Sequence, residues 1–208
     1  MIFDRRILIE DLALQLDHKA LLGLLGYRRG RTVLNESAQG LLESCLAEAE
    51  PLLHPRGLYR ARRIERLDEG RFQVLGSSIR LEGRAMERLL GDAFGLVFLA
   101  VTIGPDLEER IARHQAEGRA ERAVILDVIG SEAAEAAAVS LNSLVATAAR
   151  QGKWALTRRF SPGYADLSLD LQAALDEELG LSDIGVTVTD RFMLLPQKSI
   201  TALIGLTE

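Results

Sequence analysis

Leu58-Tyr59-Arg60-Ala61-Arg62-Arg63-Ile64-Glu65-Arg66-Leu67, Arg71-Phe72-Gln73-Val74-Leu75 and Ser78-Ile79-Arg80-Leu81 follow one another with only Asp68-Glu69-Gly70 and Gly76-Ser77 between them. Short runs of apolar and β-branched residues broken by Gly-containing turns read as strands joined by hairpins. A second set of short strands lies near the end of the chain, at Val186–Val188, Arg191–Leu194 and Ser199–Leu206. Strand following strand, without strict βαβ alternation, predicts an α+β fold: a bent, mainly antiparallel β-sheet flanked by helices.

The segments around these runs read mostly as helices. Leu12 to Leu25 has apolar residues at helical spacing and stops at Gly26. Asn35 or Ser37 caps a second helix through Leu41, Leu42, Cys45 and Leu46, closed by Glu50-Pro51 and His54-Pro55. Arg84 to Leu90 suits a short helix. Leu96 to Ile103 is continuously apolar and reads as a buried strand. Gly104-Pro105-Asp106 opens a helix with Pro near its first turn, ended at Gly118. A long helix follows, Ala120 to Arg150, rich in alanine, the best helix former. Trp154 to Phe160 reads as a strand. Asp166 or Ser168 caps a further helix over Leu169 to Leu179, stopped by Gly180. Residues 1–208 are expected to form one domain, with a helical part at 1–56 and sheet and helices at 57–208.

Composition removes several function classes. The chain is 48% apolar and 26% charged, ordinary for a globular protein. A net charge of −5 argues against general nucleic-acid binding, which needs a basic footprint. Arg56 to Arg66 is a local exception, but it alternates with apolar residues and reads as a solvated strand face. The single cysteine, Cys45, cannot form an internal disulfide, lacks metal-ligand spacing and reads as a small buried residue of a reducing compartment. No signal h-region opens the chain and no apolar run reaches the ~18 residues of a membrane span. The cytoplasm is the expected location, without a membrane or nucleic-acid partner. There is no Walker loop, dinucleotide Gly-x-Gly-x-x-Gly, Gly-x-Ser-x-Gly elbow or paired metal-site histidines. His18, His54 and His114 sit in unrelated settings.

Chemistry concentrates at Arg159-Phe160-Ser161-Pro162-Gly163-Tyr164. An always-charged guanidinium precedes a tyrosine across a Ser-Pro-Gly bend. Pro fixes φ and Gly permits positive φ, so the backbone there is shaped for close approach to a ligand. Arg159 suits bidentate capture of a carboxylate or phosphate. On the long helix Asp127, Ser131 and Glu135 share one face, over small residues such as Ala133 and Ala134. Such a stripe reads on its own as a solvated face. Its functional reading is that Glu135 takes an ammonium, which with Arg159 matches an amino-acid moiety. Tyr164 offers a ring face to an adenine or a sulfonium cation. Without a ligand, Arg159 and Tyr164 read as a turn-stabilising pair. Lys198-Ser199, after Pro196, reads as the start of a strand with an exposed lysine. No residue is assigned a catalytic or metal-binding role.

Four segments stand in a fixed order after Leu22-Gly23-Leu24-Leu25-Gly26-Tyr27-Arg28: Ala100-Val101-Thr102-Ile103-Gly104, Gly130-Ser131-Glu132-Ala133-Ala134-Glu135, Arg159 through Tyr164, and Pro196 through Gly205. In that order and spacing the chain resembles the AdoMet-binding activation domain of cobalamin-dependent methionine synthase, from Leu22 to the C-terminus. The resemblance implies binding of S-adenosylmethionine and methyl donation to cobalamin during reductive reactivation, with an electron from a flavodoxin-type protein. It also implies that Arg159, Ser161, Gly163, Tyr164 and Glu135 form the cofactor-binding set. The family's upstream aspartate and late tyrosine have no counterpart here, and the Asp-x-His-x-x-Gly cobalamin signature is absent. Cobalamin would therefore come only through a partner, a cobalamin-bearing methionine synthase core or another corrinoid protein. The alternative readings are a non-catalytic module that docks on a corrinoid protein or senses AdoMet, and an enzyme acting on another amino-acid-bearing ligand.

Overall fold

The computed structural model describes residues 3–28 and 35–208. The reading of the first residues as free of a signal segment lies partly outside these, at Met1-Ile2.

The strands are β1 (Arg6–Ile9), β2 (Arg56–Asp68), β3 (Arg71–Val74), β4 (Arg80–Glu82), β5 (Gly95–Thr102), β6 (Ala155–Leu156), β7 (Thr187–Val188), β8 (Leu194–Leu195) and β9 (Ser199–Thr207). A seven-stranded sheet runs β4-β3-β2-β5-β9-β6, with β1 also paired to β2, while β7 and β8 form a separate two-stranded hairpin. Every pairing is antiparallel. β2 pairs with β1 and β5 along its first part and with β3 from Ile64 onward, with a register irregularity at Arg66–Asp68. This change of partner bends the sheet, as strand irregularities do.

The helices are α1 (His18–Leu24), α2 (Glu36–Ala49), α3 (Arg84–Leu90), α4 (Asp106–Ala116), α5 (Ala120–Gln151) and α6 (Leu171–Leu179). They cover both faces of the sheet, which explains the unbroken apolar run in β5: all its residues are buried. Val97, Leu99 and Val101 point with Ala202, Ile204 and Leu206 into a core shared with α1, α2, α4 and α5. Leu96, Phe98 and Ala100 point with Leu203 the other way, into a core shared with α3 and α6. The alanines of α5 serve the first core. Ala133, Ala137, Ala138 and Ala149 are fully or almost fully buried, and their small side chains let a long helix lie close to its neighbours.

Several sequence expectations are corrected. The helix expected from Leu12 begins only at His18, where the Asp17 carboxylate accepts hydrogen bonds from the Lys19 and Ala20 N–H groups. Leu12 is nonetheless buried, because it packs over Gly57: a Cβ there would lie 2.9 Å from Leu12 Cδ1. At the other end Gly26 adopts φ 85°, and the Tyr27 N–H donates to the Leu22 carbonyl at 2.9 Å, closing the helix as expected. The N-terminal part, expected to be helical, also contributes β1. Asn35 caps α2 through the Ala38 N–H.

The strand expected over Trp154 to Phe160 shrinks to Ala155–Leu156 plus one isolated bridge, Phe160 to Leu203. The strand expected at Arg191–Leu194 lies instead at Leu194–Leu195, because Phe192, at φ 60°, sits in the hairpin turn. Asp166 does not cap α6, which starts after Asp170 without a side-chain cap. The Asp166 carboxylate caps α3 instead, accepting from the Arg84 N–H at 2.7 Å and the Ala85 N–H at 3.1 Å. Gly83, the residue preceding α3, has no side chain to do so. The arginine-rich face of β2 is not solvated throughout. The Arg62 side chain is 12% exposed and donates to Glu178 of α6 and to Asp4, while Arg60 donates to the Glu178 carbonyl.

Candidate functional site

Pairing along the outer edge of β9 decides where the site lies. Leu203 and Phe160 exchange both backbone hydrogen bonds, at 2.8 and 2.9 Å. Continuing that antiparallel register would set Thr201 opposite Pro162. Proline has no N–H to donate, so the ladder stops there. The chain then leaves the sheet through Ser161-Pro162-Gly163, with Gly163 at φ 87°. Its N–H donates to the Leu167 carbonyl at 2.9 Å and closes the bend. Peptide groups alternate sides along a strand, so those of Thr201 face the same open edge as those of Leu203.

A groove of about 450 Å3 occupies this opening, lined by Glu135, Arg159, Phe160, Ser161, Pro162, Tyr164, Gln172, Leu194, Ser199, Ile200 and Thr201. Its volume falls in the range of roughly 300–1,000 Å3 common to small-molecule sites. Four of the five expected cofactor-binding residues, Glu135, Arg159, Ser161 and Tyr164, therefore line one groove. Gly163 shapes the bend beside it but is not among the lining residues.

Opposite charges meet at the groove wall. An Arg159 guanidinium nitrogen donates to Glu135 Oε1, joining the bend to α5. The Arg159 side chain is 20% exposed and that of Glu135 50%. Tyr164 is 68% exposed, so its ring is not used by the core. Asp127 and Ser131 are separated from this function: Lys198 Nζ lies 2.8 Å from Asp127 Oδ1 and donates to Ser131 Oγ at 2.8 Å. The lysine is thus not the exposed strand-start residue expected; its side chain is 14% exposed. Gly130 permits this, because a Cβ there would sit 3.2–3.3 Å from the lysine stem.

Sequence reasoning missed the polar floor. Ser199 Oγ donates to Thr102 Oγ1 at 2.9 Å. Thr201 Oγ1 donates to Gln172 Oε1 at 2.7 Å, and both side chains belong to buried residues. Hydroxyls at alternate positions of Ser199-Ile200-Thr201 are the signal that was present. Strand alternation puts them on one face, that of Leu203. Nothing in the sequence alone pairs them with Gln172.

A second groove of about 600 Å3 lies between α2 and α5, lined by residues such as Leu25, Tyr27, Leu41 and Val124. It is more apolar, and among the described residues Glu121 is its only charged lining residue. Among the described residues, no group of three or more His, Cys, Asp or Glu side chains is placed to hold a metal ion. No helix among them is long and apolar enough to cross a membrane.

No family model matches the sequence, and no curated protein matches it. The fold, however, is that of a known domain. It matches the crystal structure of the MetH reactivation domain bound to AdoHcy with a TM-score of 0.75, over 97% of this chain and 78% of that chain, at 15% sequence identity. The resemblance read from the ordered sequence segments is therefore a resemblance of fold along nearly the whole chain.

Proposed function

We propose that this chain is an AdoMet-binding reactivation module that acts in trans on a cobalamin-dependent methyltransferase, most plainly a methionine synthase core. The observation that carries the reading is the Arg159–Glu135 pair in the wall of a groove at the open edge of β9. It occurs in a fold shared with a reactivation domain crystallised with AdoHcy. The chain works as one domain, 1–208, in the cytoplasm, and a flavodoxin-type protein supplies the electron.

The residues present fit such a ligand. Arg159 exchanges Glu135 for the ligand carboxylate, and Glu135 exchanges Arg159 for the ammonium. Each such charge-assisted bond contributes on the order of 1.5–3 kcal/mol. The exposed Tyr164 ring receives a flat or cationic surface, and Ser161-Pro162-Gly163 supplies backbone at close range. When bound, AdoMet supplies a methyl group for a reduced corrinoid held by another protein. The chain's own part is orientation and needs no general base. The groove is open enough for a partner to reach its mouth.

A second reading keeps the groove but not the methyl transfer: a module that senses AdoMet or docks on a corrinoid protein. At 15% identity the match to the domain crystallised with AdoHcy carries the fold and not the chemistry, which favours it. Calorimetric titration of AdoMet into wild type and Arg159→Ala tests the capture step, with circular dichroism as a check on folding. Binding by the wild type and its loss in a folded variant support it. Absence of binding by the wild type at millimolar ligand removes it. Methyl transfer to an added corrinoid protein then separates the two readings.

A further inference from the structure

We propose that Gln172 is a specificity-determining residue of this groove, with its carboxamide N–H groups binding an uncharged nitrogen or oxygen acceptor on the nucleoside part of the ligand. The inference rests on the AdoMet reading above and extends it to a residue outside the set that the resemblance implies.

Gln172 is 5% exposed, yet it lines the groove. It stands in the first turn of α6, held from below by Thr201, itself 2% exposed. The Thr201 hydroxyl donates to Oε1 at 2.7 Å, so the oxygen end of the amide is turned to the strand. Nε2 carries two further donors, and no described residue accepts from them. Among the described residues, the one side-chain nitrogen or oxygen that is fully buried without a partner is His114 Nδ1. Gln172 Nε2 is therefore not sealed in the core; it meets open space, and the open space it lines is the groove.

A buried amide with its acceptor satisfied and its donors unspent selects for an acceptor, because a ligand without one leaves those N–H groups desolvated and unpaired. The charge pattern says which part of the ligand this is. Arg159 and Glu135 match the charged amino-acid end. A neutral donor in a nearly closed setting matches a neutral acceptor, since a charged partner would carry its own desolvation cost. On a nucleoside such acceptors are ring nitrogens and sugar oxygens.

The test uses S-adenosylhomocysteine titrated calorimetrically into the full chain: wild type, Gln172→Ala, Gln172→Glu and Thr201→Val. Gln172→Ala is expected to weaken binding about tenfold. Gln172→Glu retains an oxygen toward Thr201 but replaces the donors with an acceptor, and is expected to weaken it at least as much. Thr201→Val, close to isosteric, releases the amide and is expected to weaken it severalfold with the fold intact by thermal melt. Deaza and 2′-deoxy analogues of the ligand distinguish ring from sugar: the analogue lacking the bound acceptor binds wild type and Gln172→Ala alike. A folded Gln172→Ala that binds as tightly as wild type overturns the inference and leaves the AdoMet reading standing. An equal loss for every analogue also overturns it, since that marks a merely structural role. Wild type that fails to bind S-adenosylhomocysteine overturns both.

Discussion

Arg159 and Glu135 neutralise one another across 24 positions of sequence, one on the bend after β6 and the other near the middle of α5. The pair satisfies both charges within the protein, so a zwitterionic ligand must replace each partner with an equivalent one. A ligand with only one charge leaves the other residue stranded.

It follows that Arg159→Ala and Glu135→Gln each weaken AdoMet binding by at least tenfold in calorimetry. Neither should cost more than about 1 kcal/mol in urea unfolding, because the Glu135 side chain is half exposed and screened by solvent. A large stability loss with unchanged affinity would assign the pair to the fold instead.

Asp166 ties the far side of the same bend to α3 through the Arg84 and Ala85 N–H groups. Asp166→Ala should destabilise the protein by about 1 kcal/mol, the worth of a helix N-cap. The melting temperature should fall by roughly 2–4 °C for a chain of this length. Because Asp166 lies two residues beyond Tyr164, the same substitution should also lower ligand affinity. A melt indistinguishable from wild type would show that the cap contributes nothing.

Acid should unfold the protein partly through Glu48. Burial raises its carboxyl pKa, but hydrogen bonds from Arg122, His114 and Arg110 overcome that and bring it down to about 2. The folded value lies below the ordinary 4.5, so the stabilisation is fully present above 4.5 and is lost as pH falls toward 2. The Glu48 side chain is 15% exposed, and the effect is on the order of 3 kcal/mol at most. Glu48→Gln should flatten the acid limb of stability between those values. An unchanged limb would place the acid sensitivity elsewhere.

Gly57→Ala tests the packing of the N-terminal segment. The added Cβ would lie 2.9 Å from Leu12 Cδ1, 3.0 Å from Leu141 Cδ2 and 3.3 Å from the Ala100 carbonyl. Overpacking of this kind costs about 1–3 kcal/mol. A denaturant midpoint equal to that of wild type would mean that Leu12 moves aside freely.

The elements legible in the sequence were those fixed by their own residues. β5 was readable because both of its faces are buried, and α5 because alanine favours helix at almost every turn. The meander β2-β3-β4 was readable from its turns. The misreadings arose where a distant element decides. Leu12 carries an apolar pattern, but it fills the space over Gly57 from an irregular segment. Arg62 looked solvated until Glu178, 116 positions later, reached it from α6. Asp166 sat at a plausible cap position for the next helix and serves one that lies 82 positions earlier. At the site, Arg159, Glu135 and Tyr164 were visible as residue types suited to a ligand, and Ser161 only through the resemblance. Gln172 was not, because its meaning depends on Thr201 across the fold.

The halt in pairing at Pro162 bears on how the protein behaves in a crowd. An open strand edge invites another chain to add itself, and long flat edges are seeds for aggregation. Here the open edge of β9 is closed at one end by Phe160, which already occupies Leu203. Only the short stretch around Ser199 to Thr201 is left free. An edge of that length offers a neighbouring strand few hydrogen bonds to take, so the opening that forms the groove adds little exposure to polymerisation.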